Sequence, residues 1–280
     1  MALTPLAPLS LYGRGGSRAE RQVWTPPLPL RERGQGGEGQ AQPMLNWLIQ
    51  STTDLPALPA EAWLSPPEQA RLATLQVAKR RREWLLGRWT AKRLVQAHLV
   101  AAGLREPALA ALEITPAPDG SPQLGAVAQA DDPVLGAALR TLRLTISHSG
   151  ERAFCALAPA QTLIGADIEN VAPHSAAFVG DYFTPDEQAL VAAAPPVLRD
   201  TLVTALWSAK EAVLKALRLG LTVDTRLVEC RVSPPATGDG SEHWMPVLAR
   251  CNPALAAPTS MYCWWRRLDT AVLTLAAAPA

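Results

Sequence analysis

Three carboxylates and two ammonium groups carry the chemistry that can be read from this chain. Leu163-Ile164-Gly165-Ala166-Asp167-Ile168-Glu169 alternates with the period of a strand, with Ile164, Ala166 and Ile168 on one face. Asp167 and Glu169 then share the other face, roughly 7 Å apart at two residues of strand rise. Two carboxylates so placed repel each other unless a cation lies between them. Further on, the stretch Leu206 to Leu217 holds strong helix formers and neither Gly nor Pro. It predicts the core of a helix over 197–218, with Gly220 just past its end. At helical spacing Trp207, Glu211 and Lys215 form one row, with Lys210 one step round from it. Taken alone, that row could equally be a surface Glu–Lys pair worth a few tenths of a kcal/mol. Adding Glu211 to the strand pair makes three hard oxygen donors. That set suits Mg²⁺, which takes one or two carboxylates, keeps waters and completes its shell with phosphate oxygens. Lys210 and Lys215 are natural partners for those phosphates.

The two stretches together carry a family resemblance. Gly165-Ala166-Asp167-Ile168-Glu169 and Trp207-Ser208-Ala209-Lys210-Glu211-Ala212-Val213-Leu214-Lys215-Ala216 resemble the paired signature of 4′-phosphopantetheinyl transferases of the surfactin-synthetase (Sfp) type, G-[VI]-D-I-E and W-[ST]-x-K-E-A-x-x-K. The likeness extends to Ser147-His148-Ser149 and Phe183-Thr184-Pro185-Asp186-Glu187, and covers about Ser65 to Leu221. It implies an α+β fold of two similar α/β halves in one chain, related by a pseudo-twofold, with the active site in the cleft between them. It also implies Mg²⁺ on Asp167, Glu169 and Glu211, Lys210 and Lys215 on the phosphates, and Glu211 as general base, metal ligand or both. Coenzyme A would be the substrate, with Ser147 and His148 touching its phosphates. Its 3′-phosphate would be held by basic residues of the segment 79–93, Arg88 first, with Lys79 and Arg82 behind it. Gly120-Ser121-Pro122-Gln123-Leu124 resembles the G-K-P-x-L loop of the family, which lies along the adenine and phosphates. Ser121 stands where Lys is usual, so one phosphate contact is missing or made by another residue.

The elements that must position these groups follow from local pattern. Ser65-Pro66-Pro67-Glu68 starts a helical region that runs to about Ala102, with Ser65 as N-cap and Glu68 completing a capping box. Within it seven cations stand against one acid, Glu83, over residues 79–93, and Arg81, Arg88 and Lys92 share a stripe. The bland account of such a run is a solvated cationic face. Residues 117–124 read as a turn and Asp131-Asp132-Pro133 as a loop. Leu142–His148 and Phe154–Ala158 read as strands. Phe183–Ala194 reads as a helix with Thr184 as N-cap. A capping box fully explains Glu187, while the resemblance adds that this acid lies near the metal. Short strands are expected at Leu227–Val232, Trp244–Leu248, Ser260–Arg266 and Ala271–Leu275, separated by turn-rich 233–241 and 252–258.

Composition bounds the rest. At 280 residues and 48% hydrophobic there is ample core, and a net charge of +1 argues for neither nucleic acid nor an anionic membrane. No apolar run approaches a membrane span. Cys155, Cys230, Cys251 and Cys263 lack metal-ligand spacing and read as reduced, buried thiols of a cytoplasmic protein. Residues 1–43 hold seven of the eighteen glycines and six prolines without a sustained period, so they are expected to stay outside the fold, with Met44 as the biological start. The halves are then 44–158, on the coenzyme A side, and 159–280, holding the metal strand and the signature helix. The activity implied is Mg²⁺-dependent transfer of the 4′-phosphopantetheine arm of coenzyme A to a serine of an apo acyl or peptidyl carrier protein of fatty acid, polyketide or nonribosomal peptide synthesis, by a monomer. The alternatives are another Mg²⁺-dependent phosphoryl or nucleotidyl transferase, and a non-catalytic carrier-binding relative.

Overall fold

The computed structural model describes residues 20–24, 45–127, 132–232, 243–258 and 260–279. Its first part comprises β1 (Glu20–Trp24), β2 (Leu45–Ser51), α1 (Pro66–Ala73), α2 (Ala78–Ala101), β3 (Leu112–Pro116), β4 (Pro122–Ala126), α3 (Pro133–Arg140), β5 (Leu142–Ser149) and β6 (Arg152–Pro159). The second comprises β7 (Thr162–Asn170), α4 (Ala176–Tyr182), α5 (Pro185–Ala193), α6 (Pro196–Ala216), β8 (Val228–Val232), β9 (Met245–Cys251), β10 (Ser260–Leu268) and β11 (Ala271–Pro279). One sheet runs β1-β2-β6-β5, a second β7-β11-β10-β9-β8, and β3 pairs with β4 alone. The paired strands are antiparallel throughout. The class is mixed α and β.

With β1, α3 and α4 set aside, element order repeats between the parts: a strand, two helices, then four strands, with β2-β6-β5 laid out like β7-β11-β10. Side-chain bonds repeat as well. In the first part Glu68 accepts from Ser65 N (2.9 Å) and Ile114 N (3.2 Å), and Lys92 Nζ lies 2.5 Å from Glu68 while donating to the carbonyls of Trp63 (2.9 Å) and Leu109 (3.0 Å). In the second, Glu187 accepts from Thr184 N and Cys230 N, each at 2.7 Å. Lys210 Nζ lies 2.9 Å from Glu187 and donates to the carbonyls of Thr225 (3.0 Å) and Val228. Even the glutamine after each acid agrees: Gln69 Nε2 donates to Leu64 O and Gln188 Nε2 to Phe183 O, both at 2.9 Å. A buried ion pair survives only where its remaining valences are satisfied. Each of these does so by tying a helix N-terminus, a following strand and a long helix together.

Three expectations are revised. The helical region from Ser65 to Ala102 is two helices, separated at 74–77, where Leu75 tucks against the apolar cluster of Trp63, Leu64 and Leu72. Arg81, from the basic run, turns back to cap α1 through Leu72 O at 2.9 Å. Asp132 is the N-cap of a helix, accepting from Leu135 N at 2.9 Å, rather than part of a loop; Asp131 lies outside the described residues. The segment 1–43 contributes β1, whose five residues pair antiparallel with Leu45–Ile49 of β2. The remainder of 1–43, Met44 and the turn at 233–241 lie outside the described residues.

Candidate active site

The site is built where α6 crosses β7. A Cβ added to Gly165 would lie 1.8 Å from Ala212 O, so only glycine lets strand and helix backbones approach this closely. Buried Leu206, Ala209, Val213 and Ala216 seal the helix onto the second sheet. The opposite row, Glu211 and Lys215, is thereby set over the polar face of β7, and one carboxylate oxygen each from Asp167, Glu169 and Glu211 lies within 4.8 Å of the others.

A third element completes the arrangement. β7 is an edge strand, and its free amides are taken by hydroxyls on alternate residues of β5. Ala166 N donates to Thr145 Oγ1 (3.1 Å), Ile168 N to Ser147 Oγ and Asn170 N to Ser149 Oγ (both 3.4 Å). The same serines hold the acids: Ser147 Oγ donates to Asp167 Oδ1 at 2.9 Å and Ser149 Oγ to Glu169 Oε2 at 3.1 Å. Lys215 Nζ donates to Asp167 Oδ1 (2.5 Å) and Ser147 Oγ (3.0 Å) and lies 3.5 Å from Glu211.

The electrostatics are those of crowded negative charge. Burial, then Asp167 and Glu211, push the Glu169 carboxyl up to about 7. Burial and Asp167 raise Glu211 too, against Lys215 and a hydrogen bond from Trp207. Burial alone would depress the Lys215 ammonium, but Asp167 and Glu211 outweigh it and hold it above the ordinary lysine range. Asp167 Oδ2 is buried and accepts no hydrogen bond. An orphaned carboxylate oxygen facing two raised carboxyls fits a hard divalent cation such as Mg²⁺.

The other residues singled out in the sequence fall elsewhere. Lys210 is a correction: fully enclosed on the far side of α6, it is committed to Glu187 and two carbonyls, so it reaches no phosphate. Five residues along a helix turn it well away from Lys215. Glu187 belongs to the same pair and to its capping box, apart from the acid cluster. Ser147 is at the site, but its hydroxyl serves Asp167, Lys215 and β7. His148, between the two serines, is exposed on the other face of β5. Arg88 is turned inward, 3.7 Å from Glu68 and 5.0 Å over the Trp84 ring. Lys79 and Arg82 are exposed, Lys79 lying 3.8 Å from Glu83. Ser121 donates to Asp119, and the cation beside that turn is Arg218, 3.3 Å from Asp119. Ser149 is named in the sequence reading only as part of Ser147-His148-Ser149, with no role; the hydroxyls alternating at 145, 147 and 149 were the available signal for one.

Residues 163–267 match the family model of the 4′-phosphopantetheinyl transferase superfamily. The matched segment contains Asp167, Glu169, Glu211 and Lys215. Similar solved structures include a Thermotoga maritima holo-[acyl-carrier-protein] synthase, at 19% identity and TM-score 0.33, covering 50% of this chain and 74% of that one. Two from Chronobacterium ammoniagenes are each 23% identical. They are an apo-ACPS structure (42% of this chain, 96% of that one, TM-score 0.33) and an ACPS–CoA complex (41%, 96%, 0.31). No curated protein matches the chain.

Proposed function

We propose that this chain is an Sfp-type transferase, moving the 4′-phosphopantetheine arm of coenzyme A to a serine hydroxyl of an apo acyl or peptidyl carrier protein. The observation that carries the reading is the convergence of Asp167, Glu169 and Glu211 beside Lys215, within the segment that matches the superfamily. The repeat of elements within one chain supports two halves related by a pseudo-twofold, with the site in the cleft where β5 of one meets β7 of the other.

Asp167, Glu169 and Glu211 would hold Mg²⁺, which when bound polarises the pyrophosphate and offsets charge on the leaving group. The carrier serine oxygen bonds to the β-phosphorus as the bond to the α-phosphate oxygen breaks, releasing adenosine 3′,5′-bisphosphate. The chain need supply no nucleophile; its task is positioning and charge stabilisation. Glu211 would offer one carboxylate oxygen to the cation and take the serine proton on the other. Lys215 stays charged between Asp167 and Glu211 and faces the negative charge that develops. Ser147 and Ser149 fix the two strand carboxylates.

The test is to incubate the protein with coenzyme A and apo carrier, with and without Mg²⁺, and weigh the carrier. Gain of one phosphopantetheine that requires Mg²⁺ supports the reading; an unmodified carrier across acyl and peptidyl types sinks it. A different adduct would point to another phosphoryl or nucleotidyl transfer.

A further inference from the structure

An apolar cavity of about 140 Å³ lies where α5 gives way to α6 over β10, walled by Leu190, Ala194, Leu198, Leu202 and Trp265, with Thr201 beside them. It is separate from the acid cluster. Leu202 stands nine residues, about two and a half turns, before Glu211 and so on the opposite face of α6. The repeat within the fold shows why it is open. In the first part Leu75 follows Glu68 by seven residues and packs against Trp63, Leu64 and Leu72, at the break between α1 and α2. Seven residues after the matching acid, Glu187, stands Ala194, whose methyl is far shorter than a leucine side chain. The second part has the socket without the plug.

What such a socket accepts follows from its walls. Filling it with water would take several molecules, each needing two to four polar partners, which leucine and alanine side chains do not offer. Apolar cavities of roughly 150 Å³ instead stay dry and take up a molecule the size of benzene. None of the lining residues is charged, so an ionised ligand would lose its hydration there without compensation. One wall does carry an unused donor. The Trp265 side chain is 1% exposed, and its Nε1 is buried with no hydrogen-bond partner. Leaving a buried N–H unpaired is costly, and an acceptor carried in by a ligand recovers that cost.

We propose that this socket is a binding site for a small neutral molecule with an apolar body about the size of a six-membered ring and one hydrogen-bond acceptor, such as a carbonyl oxygen. The body takes the place that Leu75 fills in the first part, and the acceptor meets the Trp265 indole. Bound there, the molecule braces the end of α5 against the start of α6, on the side of the helix away from Glu211 and Lys215.

The experiment follows the indole N–H resonances of the full, nitrogen-15-labelled chain by NMR during titration with two probes of one shape. Cyclohexanone carries the acceptor and methylenecyclohexane lacks it. The resonance missing from Trp265→Phe belongs to Trp265. Cyclohexanone should shift that resonance downfield and saturate. Methylenecyclohexane should bind about five-fold more weakly and without the downfield shift, as expected for the loss of one hydrogen bond. Ala194→Leu supplies the missing plug, so it should melt at or above wild type and bind neither probe. Leu190→Phe narrows the cavity from α5 and should also lose both probes, which keeps the test in force should one variant fold poorly. No saturable shift up to the solubility of the probes, equal affinity for the two, or binding kept in both variants overturns the site. Sedimentation at rising concentration detects the rival occupant. A dimer that Ala194→Leu breaks would assign the socket to a second copy of this chain, seated through Val197, 85% exposed beside it, and would overturn the proposal.

Discussion

Two lysines five residues apart on α6 have opposite surroundings, and that difference decides what each contributes. Lys215 is part-exposed, with its ammonium against Asp167, whereas Lys210 is sealed against Glu187. Lys210→Met should leave Glu187 buried without its counter-charge, at a cost of roughly 3–5 kcal/mol. Lys92→Met should cost less, because Arg88, 3.7 Å from Glu68, still faces that carboxylate. Chemical denaturation of the two variants checks the order. Lys215→Met should instead suppress turnover under conditions where the protein is folded; a stable, inactive Lys210→Met would show that Lys210 does reach substrate. Glu169 yields a pH prediction. Its folded pKa of about 7 lies above the ordinary 4.5, so the folded state binds the proton more tightly than the unfolded chain. Metal-free stability should therefore fall, through this group, as pH rises from about 4.5 to 7. Mg²⁺ favours the ionised form, so the gain in melting temperature on adding it should grow across the same window and level off above it. Glu169→Gln should flatten that dependence in melts with and without Mg²⁺; an unchanged profile would refute the assignment. The acids were legible in the sequence because period-2 and i, i+4 spacing fix which side chains share a face. Lys210 was misread because a one-step offset on a helix does not reveal which groups close over it.

At the scale of elements, the site depends on how closely α6 approaches β7. Gly165→Ala would force a methyl into Ala212 O and against Ala216 N, backbone atoms that cannot turn aside. Separation of the two elements should destabilise by more than the 1–3 kcal/mol of ordinary overpacking and pull Glu211 away from Asp167. A melt should show the loss, and Mg²⁺ should protect the variant less than wild type. Full retention of both would mean that the close approach is dispensable. Helix α6 and strands β5, β7 and β8 to β11 were readable from periodicity and lie within a few residues of expectation. Helix α4 was not, being seven residues long and carrying Gly180. The hydroxyl ladder of β5 was also hidden, since Thr145, Ser147 and Ser149 read as ordinary alternation until another strand's edge supplies the amides.

The whole molecule repeats its plan but not its chemistry. β6 and β11 pair with β2 and β7 in matching registers, so Leu48, opposite Cys155, takes the place that Asp167 holds opposite Thr274. By the same register Gln50, opposite Ala153, stands for Glu169, opposite Val272. The ion pairs Lys92–Glu68 and Lys210–Glu187 are kept in both parts, as expected of groups that hold the fold, whereas the carboxylates occur on β7 and not on β2. The free edges are also managed differently: β5 covers β7, and β1 covers β2. That bears on the N-terminal segment, whose glycines and prolines hide the short stretch Glu20–Trp24 that pairs with β2. A protein starting at Met44 would lose β1 and leave β2 as an open edge carrying Leu45, Trp47 and Ile49. Each backbone hydrogen bond is worth about 1 kcal/mol net and is opposed by the entropy of ordering its residues, so the melting temperature should fall by only a few degrees. The larger effect should be association through the uncovered strand, seen as a concentration-dependent rise in mass by light scattering. Activity per folded molecule should not change, because no site residue lies on β1 or β2. A Met44-start protein that melts as the full chain does and stays monodisperse would show that β1 adds nothing to the fold.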